Sequence, residues 1–381
     1  MTGPRSAPLG RSPCGVAYPP AGWPALLLAD PSPCLRWIVL RHLLGRTEND
    51  PEVLELASLR EGDPLVRSLA ATQEADGSWL PQRVGPLTYS LLSCWRGGAV
   101  HPAGGYAKRG QLTALALARL GYLGFGPEHP TVRLGAAYLF GRQNADGSWP
   151  LAEAEDEDDE HVGYSMIPLQ TAFPLRGLAA CGYATDPRAE RAYVWLLAQR
   201  LPDGAWPTGI AAGDYGYVTG YRRLPHSRWG CRSNTTGALI CLAMHPERRR
   251  APETRRALDL LLGRETREGY CLGFEVARLL GAEPARGFIS HFARFDLALL
   301  LDLCARAGAS TDDARVNDLV GFVASLQSPY GMWEYASRPQ MSRWLTCDLL
   351  RSLAVMDQEA EWVSSEPRTP FRPYPKVRRR Y

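Results

Sequence analysis

Four segments of the chain repeat one short pattern, and this repetition restricts the fold more than any other feature. They are Gln73-Glu-Ala-Asp-Gly-Ser-Trp79, Gln143-Asn-Ala-Asp-Gly-Ser-Trp149, Gln199-Arg-Leu-Pro-Asp-Gly-Ala-Trp206 and Gln327-Ser-Pro-Tyr-Gly-Met-Trp333. Their glutamines are 70, 56 and 128 residues apart. The last gap is two periods, and its midpoint falls at residues 261–269, where the apolar lead-in and the glycine persist without the Gln and Trp. Repetition at such a period marks stacked supersecondary units, each of which buries its apolar face against its neighbours.

Every copy has the same grammar. An apolar helical stretch is followed by a polar turn and then by an amphipathic stretch that runs into the Gln. Val132, Ala136, Leu139 and Phe140 before Gln143, and Val316, Leu319, Val320, Val323 and Leu326 before Gln327, keep the spacing of one buried helix face. Asp50-Pro51 and Asp186-Pro187 are helix starts. The Asp-Gly after the Gln stops the helix and turns the chain. The Trp then returns against the helix just completed, and the Gln amide is free to bond helix-terminal groups. The more uniformly apolar stretches predict inner helices at 34–44, 111–124, 168–182, 233–245, 291–307 and 343–356. Pro174 should kink or shorten the third of these. Residues 80–110 read as a Gly- and Pro-rich insertion, and a sixth outer helix is not evident. The expected fold is an all-α (α/α)6 toroid. It would form one domain over residues 25–360, with an irregular segment at 1–24 and a Pro- and Arg-rich tail at 361–381.

Gln-x-x-Asp-Gly-Ser-Trp repeats between apolar helices resemble the QW motifs of squalene–hopene and oxidosqualene cyclases, and more distantly the protein prenyltransferase β-subunits. The resemblance covers residues 34–356 and implies the toroid. It implies an activity less directly, because the motif staples the scaffold and touches no substrate. It also implies an elongated apolar, isoprenoid-like ligand, proton-initiated cyclisation or isomerisation, and no cofactor. The larger family members carry two such domains. A single toroid would therefore draw its missing wall from a homodimer or a partner chain, and would contact a membrane surface peripherally to collect a lipid.

Cyclases of this family protonate an alkene or epoxide with the middle aspartate of an Asp-x-Asp-Asp motif, and the resemblance carries that role onto Asp158 of Asp156-Glu157-Asp158-Asp159. The residues themselves offer a plainer reading. Seven of the eight residues from Glu153 to Glu160 are acidic, which is the composition of a solvated loop. In the family the motif also runs directly into Thr-Ala, whereas here Thr171-Ala172 follow Ile167-Pro-Leu-Gln170. Asp296, with His291, stands at the head of an inner helix as a further candidate acid. The prenyltransferase alternative would need zinc held by Asp, Cys and His. His226 and Cys231, or Asp296 and His291, are the nearest donors, and adjacent Cys347-Asp348 point apart on a helix. No metal site is expected.

The connection from Asp214 to Thr236 is long for a helical repeat and mixes aromatics with charge. Tyr215, Tyr221, His226, Trp229, Arg232 and Asn234 lie in it. Arg294 and Asp296 open the next inner helix, and Arg343, Trp344 and Asp348 open the last. These residues predict a ligand-binding rim with an aromatic wall and charged anchors, against a plainer role in helix capping and salt bridges. A non-catalytic toroid that binds or scaffolds through this rim is the alternative function, and a zinc-dependent transferase the second.

Net charge of +3 gives no reason to expect nucleic acid as a partner. Nine cysteines without CxxC spacing, several on apolar helical stretches, suit a reducing compartment. Residues 1–24 hold no apolar signal segment, and the longest apolar runs fall far short of a membrane span. The expected location is the cytoplasm. From Ser364 to Tyr381 the chain carries six basic residues and four prolines, which cannot form a packed element alone.

Overall fold

The structure, a computed structural model, describes residues 22–80, 105–149, 167–218, 222–224, 226–263, 270–283, 295–359 and 361–364. Over these residues the protein is all-α. Helices run in the order α1 (Trp23–Leu28), α2 (Pro33–Ile38), α3 (Pro51–Leu59), α4 (Pro64–Ala71), α5 (Gly105–Tyr122), α6 (Pro130–Phe140) and α7 (Ile167–Leu178). They continue as α8 (Pro187–Ala198), α9 (Arg232–Met244), α10 (Pro252–Leu262), α11 (Phe274–Leu279), α12 (Leu297–Ala307), α13 (Ala314–Ser325) and α14 (Ser342–Glu359). Two short strands, β1 (Tyr270–Cys271) and β2 (Phe295–Asp296), pair in parallel.

Helices α5, α7, α9, α12 and α14 pack side by side in that order, and α14 meets the π-helical turn Val39–Leu43 that extends α2. Each of α5, α7, α9 and α12 also packs against the helix that follows it, α6, α8, α10 and α13 respectively. This is a ring of helical hairpins with an inner and an outer layer, as the repeat implies. The outer partner missing from the sequence pattern is accounted for by α1, which packs on α2 and α14. Arg60 ties the ends of the ring together. Its Nη2 donates to the Leu123 carbonyl at 2.6 Å, and its guanidinium lies 4.0 Å over Trp37 and 4.5 Å over Phe125.

The helix expected from residue 291 begins at Leu297, because Phe295–Asp296 are extended and paired with Tyr270–Cys271. The helix containing Pro174 is not cut short there. It continues to Leu178, and its irregularity falls in the π-helical turn Ala179–Tyr183, where Gly182 has φ +86°. Gly177 sits so close to α5 that a Cβ there would lie 2.5 Å from the Ala114 carbonyl oxygen.

Local chemistry explains the starts and stops. Asp50 and Asp186 accept the N–H groups of Glu52 (3.0 Å) and Arg188 (2.9 Å), capping α3 and α8 ahead of a proline in the first turn. The repeated Trp is a staple in all four copies. Its indole Nε1 donates to the carbonyl ten residues earlier, on the helix just completed: Trp79 to Leu69 (2.9 Å), Trp149 to Leu139 (2.9 Å), Trp206 to Leu196 (2.7 Å) and Trp333 to Val323 (2.7 Å). Its backbone N–H donates to a threonine hydroxyl on the next inner helix, Thr113, Thr171, Thr235 or Thr346. All four indoles are buried, which contributes about 1.5–3 kcal/mol each from apolar area alone.

The Gln does what its position suggested. Gln73 and Gln143 donate to the carbonyl of their own turn glycine and to the first turn of the following outer helix, at Thr131 and Arg188, all within 2.9–3.0 Å. Each staple therefore joins consecutive hairpins. In the third copy one extra residue separates Gln from Trp. Gln199 there instead accepts the Ala211 N–H through Oε1 at 3.4 Å.

The chain departs from the repeat at the degenerate copy. Between β1 and β2 it forms α11, whose six residues are all buried and which packs against α5, α12 and α14 at once. This short helix thus lies inside the ring. Past α14, residues 361–364 lie along the α12–α13 turn, where the Trp362 N–H donates to Gly308 (2.8 Å) and the Trp362 carbonyl accepts from Ser310 (2.7 Å). The rest of the tail is outside the described residues. No described helix is long and apolar enough to cross a membrane.

Candidate functional site

Helix α11 carries charge into the ring. Gly273, at φ +80°, opens it, and Asp296 at the end of β2 caps it. Asp296 accepts the N–H groups of Gly273 (2.8 Å), Glu275 (2.7 Å) and, at the start of α12, Ala298 (3.1 Å). One carboxylate therefore begins two helices. Burial pushes it up to about 6 against the pull of those three bonds. One turn into α11, Glu275 is ion-paired with Arg176 of α7 and, at 3.0 Å, with Arg278 of its own helix, all three being buried. Arg119 of α5 reaches the same helix and donates from Nη2 to the Arg278 carbonyl at 3.2 Å.

The other polar cluster inside the ring joins α5, α12 and α14. The Tyr122 hydroxyl donates to Oδ1 of Asp348 at 2.9 Å, and Arg351 approaches the same oxygen at 3.6 Å. Asp302 of α12 adds a second negative charge near Asp348 and is held by Arg306 at 2.8 Å. The ring of Trp344, one turn before Asp348, lies 5.9 Å from that of Tyr122 at a tilt of 38°. Burial pushes the Asp348 carboxyl up to about 6, while Arg351 pulls it down. Its side chain nonetheless keeps 23% of its exposure. The Asp348 carboxylate is thus largely desolvated and still partly exposed. An aromatic pair lies beside it, and a hydroxyl fixes one of its oxygens.

The structure distributes the sequence-predicted rim residues among several roles. Tyr215 and Trp229 come together as a stacked pair, with centroids 5.4 Å apart and planes at 26°, and Arg228 lies 4.9 Å from the Trp229 ring. His226 is exposed and has φ +61°. Arg232 and Asn234 are buried in the first turn of α9. The Asn234 Oδ1 accepts the Leu169 N–H at 2.9 Å, which ties α9 to the start of α7. Arg343 pairs with Asp30 at 3.5 Å. Of the predicted residues only Trp344 meets the Tyr122–Asp348 cluster by ring contact. Asp158, Tyr221, His291 and Arg294 lie outside the described residues.

Sequence reasoning named Asp348 only as a polar group near the rim, and it missed Tyr122, Glu275 and Arg119. Tyr122 closes an apolar helix whose pattern gives no hint of its partner, 226 residues away. Cys347 is buried while its neighbour Asp348 faces Tyr122, so the two diverge as adjacent helical positions must. No group of three or more His, Cys, Asp or Glu among the described residues is placed to hold a metal ion. Cys231 is buried and His226 exposed.

In sequence, residues 110–221 match the squalene-hopene cyclase C-terminal domain. No curated protein matches the chain. Among solved structures the chain is similar to the type II terpene cyclase MstE from Scytonema in its apo form, at 13% identity, covering 76% of this chain and 95% of that one with a TM-score of 0.28. It is also similar to a variant of MstE in complex with its product merosterolic acid A, at 16% identity, 77% and 95% coverage and a TM-score of 0.29. A third likeness is to a protein from Actinoplanes, at 16% identity, 79% and 99% coverage and a TM-score of 0.30. The chain is thus a squalene–hopene-cyclase-like all-α protein, its sequence likeness carried by residues 110–221, which span most of α5 through α8.

Proposed function

We propose that this terpenoid-cyclase-like toroid binds an elongated apolar ligand of isoprenoid type at the Tyr122–Asp348 cluster between α5, α12 and α14. The ligand body would lie on Tyr122 and Trp344, with Asp348 beside it as the group that gives or takes a proton. The observation that carries this reading is the Asp348 carboxyl itself, held by Tyr122 inside the ring, pushed up to about 6 and still reachable. A raised carboxyl titrates near neutral pH and suits general acid–base exchange with a polar atom of a ligand. It is a weaker acid than an ordinary aspartate, so it does not support protonation of an isolated alkene.

Native mass spectrometry of the purified chain, with lipid extraction of the same sample, tests the reading. A co-purifying isoprenoid supports it, and Asp348→Asn should then retain binding while turnover of that compound falls. Retention of full turnover by Asp348→Asn would remove Asp348 from the chemistry. A preparation free of lipid that also binds none when offered isoprenoids would remove the ligand.

The second reading, a toroid without catalysis that binds or scaffolds through its rim, draws support from α11. A helix with all six residues buried occupies the ring, and its ion pairs fill space that a purely apolar ligand would need. The lipid-free outcome would favour it.

A further inference from the structure

The interior charges do not balance at Arg119. Its side chain is 1% exposed; among the described residues its Nε has no hydrogen-bond partner, and its Nη2 donates to a backbone carbonyl, that of Arg278. No carboxylate pairs with it among the described residues. The charge that acts on it is that of Arg278, which is of the same sign, and burial together with this repulsion lowers it to about 9. Arg278 and Arg176 in turn share the carboxylate of Glu275. A buried guanidinium with no anion is costly to keep in a folded chain, by several kcal/mol in general. A neutral side chain could fill the same space at lower cost.

Arg119 also faces the right way to be used. Leu115, Arg119 and Tyr122 recur at the spacing of one helix face, and Leu115 and Ala118 form a small apolar cluster with Leu279 of α11, with Tyr122 packed against it. The inner face of α5 thus sets Arg119, without a carboxylate partner among the described residues, between Leu115 on one side and Tyr122 on the other, against the apolar contact with Leu279.

We infer that Arg119, with Arg278 beside it, is the receptor for an oxyanion, the carboxylate or phosphate head of an amphiphile whose apolar chain lies along Leu115, Ala118, Leu279 and Tyr122. This rests on the ligand-binding reading above and adds the head group to it. Entry of the anion supplies the counter-charge that the described residues do not provide, and it joins guanidinium donors through charge-assisted bonds.

Binding to the full chain would be measured by calorimetry and thermal denaturation with four probes: dodecanoate, dodecyl phosphate and dodecanol below their aggregation concentrations, and inorganic phosphate at constant ionic strength. The expected result is that an anionic probe binds at least tenfold more tightly than dodecanol and that Arg119→Met abolishes the difference, while Arg119→Lys retains part of it. Preference for dodecyl phosphate identifies a phosphate head, and preference for dodecanoate a carboxylate. Arg119→Met should also melt higher than the wild type when no anion is added, since it removes the unpaired charge. A structural arginine would give the opposite shift. Equal binding of the three long-chain probes overturns the anion receptor and leaves the apolar-ligand reading standing. Stabilisation by inorganic phosphate that depends on Arg119, without binding of any long-chain probe, supports the receptor and overturns the apolar ligand. Binding of none overturns both.

Discussion

Glu275 of α11 is ion-paired with Arg176 of α7 in the interior of the ring, and both side chains are buried. The pair joins the inserted helix to the inner wall, and Arg278 shares the same carboxylate at 3.0 Å. The arrangement is asymmetric: one negative charge serves two arginines. Removing the carboxylate alone therefore takes the same partner from both. Glu275→Gln should destabilise the protein by about 3–5 kcal/mol, the range for breaking a buried pair from one side. Arg278→Met leaves the Glu275–Arg176 pair intact and should cost less. Urea denaturation of the two variants compares them directly, and a smaller loss for Glu275→Gln than for Arg278→Met would show that the carboxylate is not the hub.

Asp348 gives a prediction about pH. Its folded value, about 6, lies above the ordinary carboxylate value that it takes in the unfolded chain. Between the two the folded protein holds more protons than the unfolded one, so this group's contribution to stability falls as pH rises from about 4 to 6 and is level above that. Asp348→Asn removes the contribution. Relative to wild type the variant should gain stability as pH rises through this window, by an amount on the order of 2 kcal/mol. Urea midpoints measured from pH 4 to 7 would show it. A difference that does not change with pH would mean that the Asp348 carboxyl is not desolvated beside Tyr122 as the structure has it.

The repeat made most of the ring legible. Inner helices expected at 111–124, 168–182, 233–245 and 343–356 fall at Gly105–Tyr122, Ile167–Leu178 with its π-helical turn, Arg232–Met244 and Ser342–Glu359. Continuous apolar stretches, and the Asp-Pro starts and Asp-Gly stops that bracket several outer helices between them, are local signals, and they survive packing. Helix α11 was not legible, because six residues are too short to show a period and Glu275 and Arg278 read as surface charges. Glu275 is buried by pairing with Arg176, 99 residues away, and Arg278 by pairing with Glu275 in turn. The threonine caps escaped notice for a related reason. Thr113, Thr171, Thr235 and Thr346 follow their tryptophans by 34, 22, 29 and 13 residues, since insertions of different length intervene, and a contact that repeats in space had no period in sequence. The Tyr122–Asp348 contact spans nearly the whole ring and rests on closure alone.

Those threonines are testable. Thr171 is buried and its hydroxyl accepts the Trp149 N–H at 3.2 Å. Thr171→Val keeps the shape and leaves that N–H without a partner, which should cost about 1–3 kcal/mol. Thr171→Ser restores the acceptor and should recover most of the loss that the missing hydroxyl causes. Chemical denaturation of the three proteins decides the matter. Equal stability of the Val variant and wild type would show that the hydroxyl does not hold the staple to the next inner helix.

The turn glycines separate a backbone requirement from a sequence habit. Gly77 has φ +86°, and a Cβ built on it would lie 2.3 Å from the Leu134 carbonyl oxygen of α6. Two costs therefore combine at this position: a left-handed backbone that L-residues resist, and a clash with the backbone of a packed helix that cannot swing aside as a side chain could. Gly77→Ala should destabilise by roughly 3 kcal/mol, with strain supplying about a third to a half and the forced separation of the turn from α6 the rest. Gly110 makes the contrast. It lies within α5, with nothing within 4 Å of an added Cβ, so Gly110→Ala should stabilise by about 0.5–1 kcal/mol through helix propensity. Opposite signs in thermal denaturation would show that the Asp-Gly of the motif is retained for close docking of the next outer helix. The same small loss at both positions would mean that α6 can move away from the turn, and that the staple is held by its Trp and Gln alone.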